Sequence, residues 1–414
     1  MAVNQVPLIV GLDIGTTKVC TLVGILTDER KVEVRGIGIA PSVGLRKGVI
    51  VDLGATCEAI RRSGDEAARM CGLPLTSAHV YVGVTGDHVD SFVCHGAVAI
   101  ERPDHEILPA DVDRVKALAV HGVQTATRDI LLERPREFIV DGQRGISDPV
   151  GMVGERLEVD LHVVTGEHSF LDQVRQCVDQ AGLPVDSLTL EAVATGEAVL
   201  TADERKLGCA VLDLGGGTTD VAVYIDGELA HTSAIPVGGA HVTFDLSYGL
   251  QAPYQKAEDI KVRYACAQPE LCDPDGVIQY VNVRGEQCEA EHAFIAEVVG
   301  PRMEELFELV AKDLYRAGID LTQLGAGVVL TGGASRLTGT LAVARNVLGV
   351  LVREAQPIEV VGHAARVAGP QFSTGVGLVR IGGQDQLRHI QQTEETSFIA
   401  RMRTFWRSFT RLFD

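Results

Sequence analysis

The feature that most constrains the fold is an internal repeat whose two copies lie 200 residues apart. An apolar strand, an aspartate, a Gly/Thr turn and a second apolar strand occur around Asp13–Val19 and again around Asp213–Val221. A pattern repeated in this way indicates two related supersecondary units in one chain. The sequence therefore predicts two related lobes of mixed α/β structure.

Both turns have the composition of a phosphate-binding loop. The N–H groups of a tight turn converge on an anion, and glycine lets the backbone approach it closely. Asp13 and Asp213 are expected to hold Mg²⁺, through its water molecules. The predicted phosphate ligands are Gly15, Thr16, Thr17 and Lys18 in the first turn and Gly215, Gly216, Gly217, Thr218 and Thr219 in the second. Either turn alone could be a simple hairpin, but the matched pair favours phosphate binding.

A third glycine turn follows the buried strand at 327–331. Ligands of α/β proteins bind beyond the carboxyl ends of strands, so we expect Gly332, Gly333 and Ala334 to contact an adenosine. In a helix-rich insert between the second and third turns, Glu258 and Lys261 lie one helical turn apart. They could reach the ribose or base, or form an exposed ion pair instead.

Together these motifs resemble the phosphate-1, phosphate-2 and adenosine motifs of the actin/Hsp70/hexokinase superfamily. Within it, the chain closely resembles the FtsA family of actin-like bacterial cell-division proteins. The stretches that carry the resemblance are 11–18, 47–53, 80–89, 213–220, 257–263 and 329–334. The resemblance implies an α/β, actin-like two-lobed fold with duplicated mixed-sheet subdomains around an ATP–Mg²⁺ cleft. It adds Gly11 to the cleft, and it favours Glu258 and Lys261 as nucleotide contacts.

The resemblance also implies a division into subdomains. Residues 5–85 with 163–205 would form subdomain 1A, 86–162 the family-specific subdomain 1C, 206–245 with 325–381 subdomain 2A, and 246–324 subdomain 2B. The polar stretch 382–396, with its Gly-Gly and Gln-Gln pairs, is predicted to be a flexible linker. Residues 397–414 would follow it as a membrane-targeting amphipathic helix.

Glu191 is the candidate catalytic residue. It resembles the glutamine or glutamate with which actin-like ATPases orient the attacking water, and a carboxylate there could act as a weak general base. A glutamate that merely favours the positive end of a helix dipole is the alternative. The resemblance implies slow ATP hydrolysis at most, so whether the chain is an enzyme stays open.

The last 18 residues have an amphipathic pattern. At 100° per residue one helical face collects the apolar side chains and an arginine row lies opposite. The apolar residues are Phe398, Ile399, Met402, Phe405, Trp406, Phe409, Leu412 and Phe413, and the row is Arg403, Arg407 and Arg411. This pattern is typical of a helix in the headgroup region of an anionic membrane, although docking on the protein itself or on a partner stays possible. The segment has a formal charge of +3 and the rest of the chain −22, so anionic lipid attracts only the tail.

Composition excludes other classes of function. The net charge of −19 argues against a nucleic-acid partner, because phosphate binding needs a basic surface. The nine cysteines contain no Cys-x-x-Cys pair, and we find no signal peptide and no charge-free apolar run of about 20 residues. We therefore expect a cytoplasmic protein that can still lie on a membrane surface.

The resemblance implies a protein that polymerises on the cytoplasmic membrane at the septum, anchors FtsZ filaments there and recruits later division proteins. The FtsZ C-terminal tail would dock on the helical insert, where Arg302 matches the family's basic position; a solvated helix-start residue is the alternative. The runner-up functions are a sugar or acetate kinase of the same superfamily and a pilus-assembly scaffold related to FtsA.

Overall fold

Two mixed sheets built on one plan form the centre of the molecule. The computed structural model describes residues 7–27, 31–46, 48–123 and 127–410, with side chains as far as residue 391. In chain order the strands are β1 (Leu8–Ile14), β2 (Lys18–Leu26), β3 (Val32–Pro41), β4 (Leu45–Arg46), β5 (Val49–Ile50), β6 (His79–Val84), β7 (Val89–Ala99), β8 (Arg128–Val140), β9 (Gln143–Ile146), β10 (Arg156–Glu167), β11 (Val185–Leu190), β12 (Cys209–Leu214), β13 (Thr219–Ile225), β14 (Glu228–Ile235), β15 (Val277–Val281), β16 (Gln287–Glu291), β17 (Gly327–Thr331), β18 (Val352–Glu354) and β19 (Val361–Gly362).

Helices cover both sheets. They are α1 (Leu53–Cys71), α2 (Pro109–Ala119), α3 (His168–Gln180), α4 (Glu191–Val199), α5 (Ala202–Leu207), α6 (Gly239–Gly249), α7 (Tyr254–Tyr264), α8 (His292–Arg316), α9 (Thr340–Leu348) and α10 (Ser373–Thr410). Among the described residues, no helix is long and apolar enough to cross a bilayer.

The strand orders show the duplication. The first sheet runs β11-β6-β1-β2-β3-β19 and the second runs β14-β13-β12-β17-β18. In each, an antiparallel hairpin (β1–β2 or β12–β13) has a parallel neighbour on one side and an antiparallel neighbour on the other. The prediction of two related mixed-sheet lobes is confirmed.

The two hairpins also match in detail. In the first, the N–H of Gly15 donates to the carbonyl of Lys18 at 3.0 Å; in the second, the N–H of Gly215 donates to the carbonyl of Thr218 at 3.0 Å. Since both turns close in the same way, each presents its central residues at the same end of its sheet.

A separate four-stranded sheet, β7-β10-β8-β9, is inserted after β6 and packs on α2. It also contacts the second lobe. The Ser91 hydroxyl on β7 donates to the Thr232 carbonyl on β14 at 2.6 Å, and Nε2 of His162 lies 3.2 Å from the Thr232 hydroxyl. The insert is therefore connected by the chain to one lobe and by hydrogen bonds to the other.

The prediction of a flexible linker at 382–396 is wrong, because α10 runs through this range without a break. Gly382 and Gly383 serve close packing instead of flexibility. An added Cβ would lie 2.5 Å from Cγ2 of Ile9 at the first position and would collide with Val32 at the second. The backbone of the tail is helical as far as Thr410; its side chains, and residues 411–414 with Arg411, Leu412 and Phe413, lie outside what the structure describes.

The packing of α10 on α4 gives a stability prediction. A Cβ at Gly377 would collide with the Ala194 carbonyl, whereas one at Gly64 in α1 would be 3.6 Å from Cδ1 of Leu183, an ordinary contact. We expect Gly377→Ala to lower the free energy of unfolding by about 1–3 kcal/mol through overpacking. The control Gly64→Ala should instead be neutral or gain up to about 1 kcal/mol of helix propensity. Urea titration of both variants checks this, and equal effects would contradict it.

Candidate functional site

A cleft lies between the lobes, at the two matched turns. Most of the predicted site residues line it, namely Asp13, Gly15, Thr16, Thr17, Lys18, Glu191, Asp213, Gly215, Gly216, Gly217, Thr218, Gly332 and Gly333. The structure thus brings together residues from all three glycine turns and from the start of α4.

The two turns touch each other across this cleft. A Cβ at Gly216 would lie 2.6 Å from Cγ2 of Thr17, and one at Gly217 would collide with the Thr16 hydroxyl. The second turn therefore has room only for glycine where it faces the threonines of the first. The backbone of both turns borders one concavity, as phosphate binding from two sides requires.

Asp213 is held by helices from two distant parts of the chain. Its Oδ2 accepts hydrogen bonds from the hydroxyls of Thr195 on α4, at 2.7 Å, and Thr374 on α10, at 2.9 Å. Gly332 lies against Oδ1, where a Cβ would collide with the carboxylate. Burial raises the pKa of Asp213, although both hydroxyl donors oppose the shift.

Among the residues that the structure describes, Lys18 is the lysine that lines the cleft. Nζ of Lys18 lies 3.1 Å from Oδ2 of Asp13. Burial is the largest single influence and opposes the charge of this lysine, but Asp13, Cys20 and Asp213 together outweigh it and raise the pKa of Lys18 above its usual value. Lys18 is therefore a fixed positive charge at the first turn.

Two further carboxyl groups, those of Glu191 and Asp220, are buried beside Lys18 and Asp13. Burial, and then the neighbouring Asp13, Asp220 and Asp213, raise the pKa of Glu191 well above its usual value. Burial raises the pKa of Asp220 to about 7, against the hydrogen bonds that Asp220 accepts from Thr85 and, at 3.4 Å, Thr218. Within the described ranges, the lining of the cleft is thus rich in carboxyl groups and has Lys18 as its one basic side chain.

This oxygen-only donor set fits a hard divalent cation such as Mg²⁺. No three His, Cys, Asp or Glu residues of the described ranges converge closely enough to hold a metal by themselves. An Mg²⁺ ion bound through Asp13 and Asp213 would need water and phosphate oxygens as its remaining ligands, which is how proteins usually hold it.

Gly11 and Thr219 do not line the cleft and point to other parts of the protein, so the structure contradicts these two predictions. Gly11 is in the middle of β1, where a Cβ would lie 2.7 Å from the Gly375 carbonyl of α10. The Thr219 hydroxyl donates to the Val237 carbonyl at 2.8 Å. Because side chains alternate along a strand, Thr218 faces the cleft and Thr219 faces away from it.

Glu258 and Lys261 form the ion pair that the sequence left as an alternative, with Nζ 2.7 Å from Oε2. They do not line the cleft, but they lie close to it. A Cβ on Gly239 would be 3.6 Å from Nζ of Lys261 and 3.2 Å from Cβ of Ala334, and the N–H of Gly239 donates to the Gly215 carbonyl. The pair and Ala334 therefore lie beside the second glycine turn.

Arg302 is engaged within the protein. Its guanidinium makes a two-point contact with Asp245 on α6, at 2.6 and 3.1 Å, and it also pairs with Glu305 on its own helix. This is more constrained than the solvated helix-start residue that the sequence left open.

Sequence reasoning missed several residues of the cleft. These are Ile14, Leu45, Gly48, Thr85, Asp220, Pro370, Gln371 and Thr374. Asp220 gave a usable signal, because it lies directly opposite Asp213 in the hairpin that the motif defines. Thr374 gave none, since it reaches Asp213 from 161 residues away.

Comparison with known proteins decides the family. Residues 210–377 match the family model for cell division protein FtsA, and residues 86–165 match that for the SHS2 domain inserted in FtsA. Cell division protein FtsA of Pseudomonas aeruginosa is 42% identical over 93% of this chain and 91% of that protein. Its counterpart in Escherichia coli K12 is 35% identical over 94% and 93%. The chain belongs to the FtsA family. It is thus a cell-division protein, and the resemblance inferred from the motifs is confirmed.

Solved structures of lower identity confirm the actin-like fold. The PilM–PilN type IV pilus biogenesis complex aligns with a TM-score of 0.66 at 17% identity, over 91% of this chain and 98% of that one. MreB5 of Spiroplasma citri bound to ADP aligns with a TM-score of 0.57 at 14% identity, over 93% and 98%. Both relationships concern the fold alone.

The pKa of Asp220 predicts a pH-dependent stability. The folded state holds this proton more tightly than the unfolded chain, whose usual pKa is 3.8, so ionisation costs stability as the pH rises from about 4 through about 7. Asp220→Asn removes that cost. We expect its advantage in melting temperature over the unmodified protein to be a few degrees larger at pH 8 than at pH 5. The control Asp226→Asn, in an exposed turn, should show no such trend. A pH-independent difference for Asp220→Asn would contradict the prediction.

Proposed function

We propose that this chain is an ATP-dependent, membrane-bound adaptor of bacterial cell division. It binds ATP with Mg²⁺ in the cleft, polymerises on the cytoplasmic face of the membrane at the septum, anchors FtsZ filaments there and recruits later division proteins. The observation that carries the proposal is the pair of matched turns that meet around Asp13, Lys18 and Asp213.

The proposed nucleotide position follows from the chemistry of the lining. The turn N–H groups and Lys18 bind the phosphates, Asp13 and Asp213 hold Mg²⁺ through water, and the turn at 332–334 lies against the adenosine. Bound Mg²⁺ neutralises phosphate charge that the carboxyl groups would otherwise repel. The MreB5 structures of the same fold, solved with ADP and with AMPPNP, support a nucleotide here.

The site also supports the proposal of slow hydrolysis. Glu191 lines the cleft at the first turn of α4 and is the proposed base for the attacking water. Burial and the neighbouring carboxyl groups raise the pKa of Glu191, which favours the protonated form, and a protonated carboxyl cannot accept a proton. A site arranged in this way suits a nucleotide-dependent switch better than a fast enzyme.

Lys18 provides the direct test of nucleotide binding. A charge-assisted contact contributes about 1.5–3 kcal/mol, so Lys18→Met should weaken ATP affinity by about 10–100-fold. Lys206→Met, on the exposed surface of α5, is the control and should bind normally. Isothermal titration with ATP and Mg²⁺ measures both, with melting temperatures to verify folding. If Lys18→Met binds ATP with an affinity within twofold of that of the unmodified protein, Lys18 does not contact the phosphates.

The membrane proposal rests on the helical backbone of the tail and on its sequence pattern. Each arginine near an anionic surface contributes about 1 kcal/mol, and the aromatic face contributes buried apolar area. The acidic body and an anionic lipid surface repel each other, so the tail is the proposed point of attachment.

Flotation on liposomes tests the attachment. The full chain should float with anionic vesicles, while a chain ending at Gln391, which keeps the packed Gly382 and Gly383, should not. The double substitution Phe405→Glu with Trp406→Glu should also abolish flotation, and Leu351→Glu, at an exposed position of the second lobe, should not. ATP with Mg²⁺ should give membrane-bound filaments by electron microscopy. Flotation of the shortened chain would refute attachment through the tail.

The same vesicles test the FtsZ partnership. Arg302 is proposed to exchange Asp245 for a carboxylate of the FtsZ tail. FtsZ should float only when the full chain is present, and Arg302→Ala should reduce its recovery severalfold without affecting flotation of the chain itself. Undiminished recovery would exclude Arg302 from the FtsZ contact.

A further inference from the structure

Gln371 lines the cleft with a side-chain oxygen that has no hydrogen-bond partner among the described residues. It lies just before α10, in the short 3₁₀ turn Pro370–Phe372. Its Oε1 is buried, and no described residue donates a hydrogen bond to it. Since buried acceptors nearly always have a donor, this unpaired oxygen needs a physical explanation.

The position of Gln371 in the cleft is at the third glycine turn. A Cβ on Gly333 would lie 3.7 Å from Cβ of Gln371, an ordinary contact distance. Three residues later in the chain, Thr374 donates its hydroxyl hydrogen to Oδ2 of Asp213 at 2.9 Å. The segment 371–374 therefore follows the cleft from the third turn to Asp213. In the proposed position of the nucleotide, Gln371 lies at the adenosine end.

The segment that carries this amide is anchored. Oγ of Thr331, at the end of β17, lies 2.7 Å from Oγ of Ser373 and 3.4 Å from the carbonyl oxygen of Pro370. The amide of Gln371 occupies the space over Gly369, where a Cβ would collide with Oε1. A polar group that is already held in place loses little conformational entropy when a ligand binds to it.

The amide is complementary to adenine. The 6-amino group of adenine donates hydrogen bonds and the adjacent ring nitrogen accepts one, so a glutamine amide can pair with both, as it does where proteins read adenine in DNA. Guanine has a carbonyl oxygen in place of the amino group, and that oxygen would face Oε1 with no hydrogen between them. A buried acceptor left without a donor costs binding free energy, so such a site discriminates against guanine.

We propose that Gln371 is a specificity-determining residue for the nucleotide base: its side-chain amide accepts a hydrogen bond from the 6-amino group of adenine, and the cleft therefore prefers ATP to GTP. The inference rests on the proposed binding of ATP in this cleft. It assigns the unpaired oxygen a donor that arrives with the ligand. The hydrogen bond forms only in the complex, so removing the amide takes no hydrogen bond of Oε1 from the nucleotide-free protein.

Substitutions at Gln371 in the full chain, combined with altered nucleotides, test this contact. Gln371→Leu keeps a similar volume and removes the amide, and Gln371→Glu keeps an acceptor oxygen. The control is Gln279→Leu, at an exposed position of β15. Isothermal titration in the presence of Mg²⁺ compares ATP, GTP, 2′-deoxyATP and purine riboside triphosphate, which has the adenine ring system without the 6-amino group. Melting temperatures are measured without nucleotide.

We expect the unmodified chain to bind ATP about tenfold or more tightly than purine riboside triphosphate or GTP, the effect of one hydrogen bond to a buried acceptor. Gln371→Leu should bind ATP and purine riboside triphosphate within twofold of each other, with a melting temperature no lower than that of the unmodified chain. Gln371→Glu should keep the preference for ATP over purine riboside triphosphate, even where its added charge weakens the binding of both. Gln279→Leu should behave as the unmodified chain does.

Equal affinities of the unmodified chain for ATP and purine riboside triphosphate would overturn the proposal while leaving nucleotide binding intact. A Gln371→Leu variant that keeps the full preference for ATP would also overturn it. So would a Gln371→Leu variant that loses only the distinction between ATP and 2′-deoxyATP, because the amide would then contact the ribose. If the unmodified chain binds none of these nucleotides, the proposed function and this inference fail together.

Discussion

The hydrogen bonds to Oδ2 of Asp213 are the contacts on which the rest of the cleft depends. Thr195 and Thr374 donate to this one oxygen from α4 and α10, so strand β12 and two helices meet at a single carboxylate. With Oδ2 occupied in this way, Oδ1 is turned toward Gly332 and the third glycine turn. One residue thereby fixes the relative placement of the second glycine turn, the third glycine turn and the helix that begins with Glu191.

The same arrangement creates an electrostatic conflict that a ligand would relieve. Asp13, Asp213, Asp220 and Glu191 are all buried around Lys18, and burial with mutual repulsion raises the pKa of the last three. Such crowding costs folding stability, and proteins keep that kind of strain chiefly at functional sites. Phosphate alone would worsen the repulsion. In the function proposed above, a cation that arrives with the phosphates reverses this repulsion, which is why the proposal is a metal–nucleotide complex and not a free nucleotide.

The duplicated architecture was readable from the sequence because its signal is local. Each copy consists of an apolar strand, an aspartate and a glycine turn within about ten residues, and a turn of this kind fixes its own hairpin. What joins the copies is not local. Thr374 and Thr85 reach the cleft from distant segments, and no periodicity marks a threonine whose hydroxyl meets an aspartate on another strand.

The glycines of the C-terminal helix led to a wrong prediction of flexibility. Gly382 and Gly383 have the composition of a flexible linker, yet each lies where the helix approaches β1 and β3 too closely for a side chain. Composition indicates how flexible a backbone is when no other segment packs against it. Only the tertiary structure shows that β1 and β3 pack against the helix here. Thr219 shows the same limit at a single position, since the motif cannot indicate which of two adjacent threonines faces the cleft.

The inserted sheet places a mechanical constraint on the cleft. It continues from β6 of the first lobe, yet Ser91 and His162 hold it to Thr232 of the second. Thr232 lies on β14, next to β13, and β13 carries Asp220, which accepts a hydrogen bond from Thr85 at the start of the insert. Through these contacts the inserted sheet links the two lobes. Any rotation of one lobe against the other must therefore break the contacts at Thr232 or carry the inserted sheet with it.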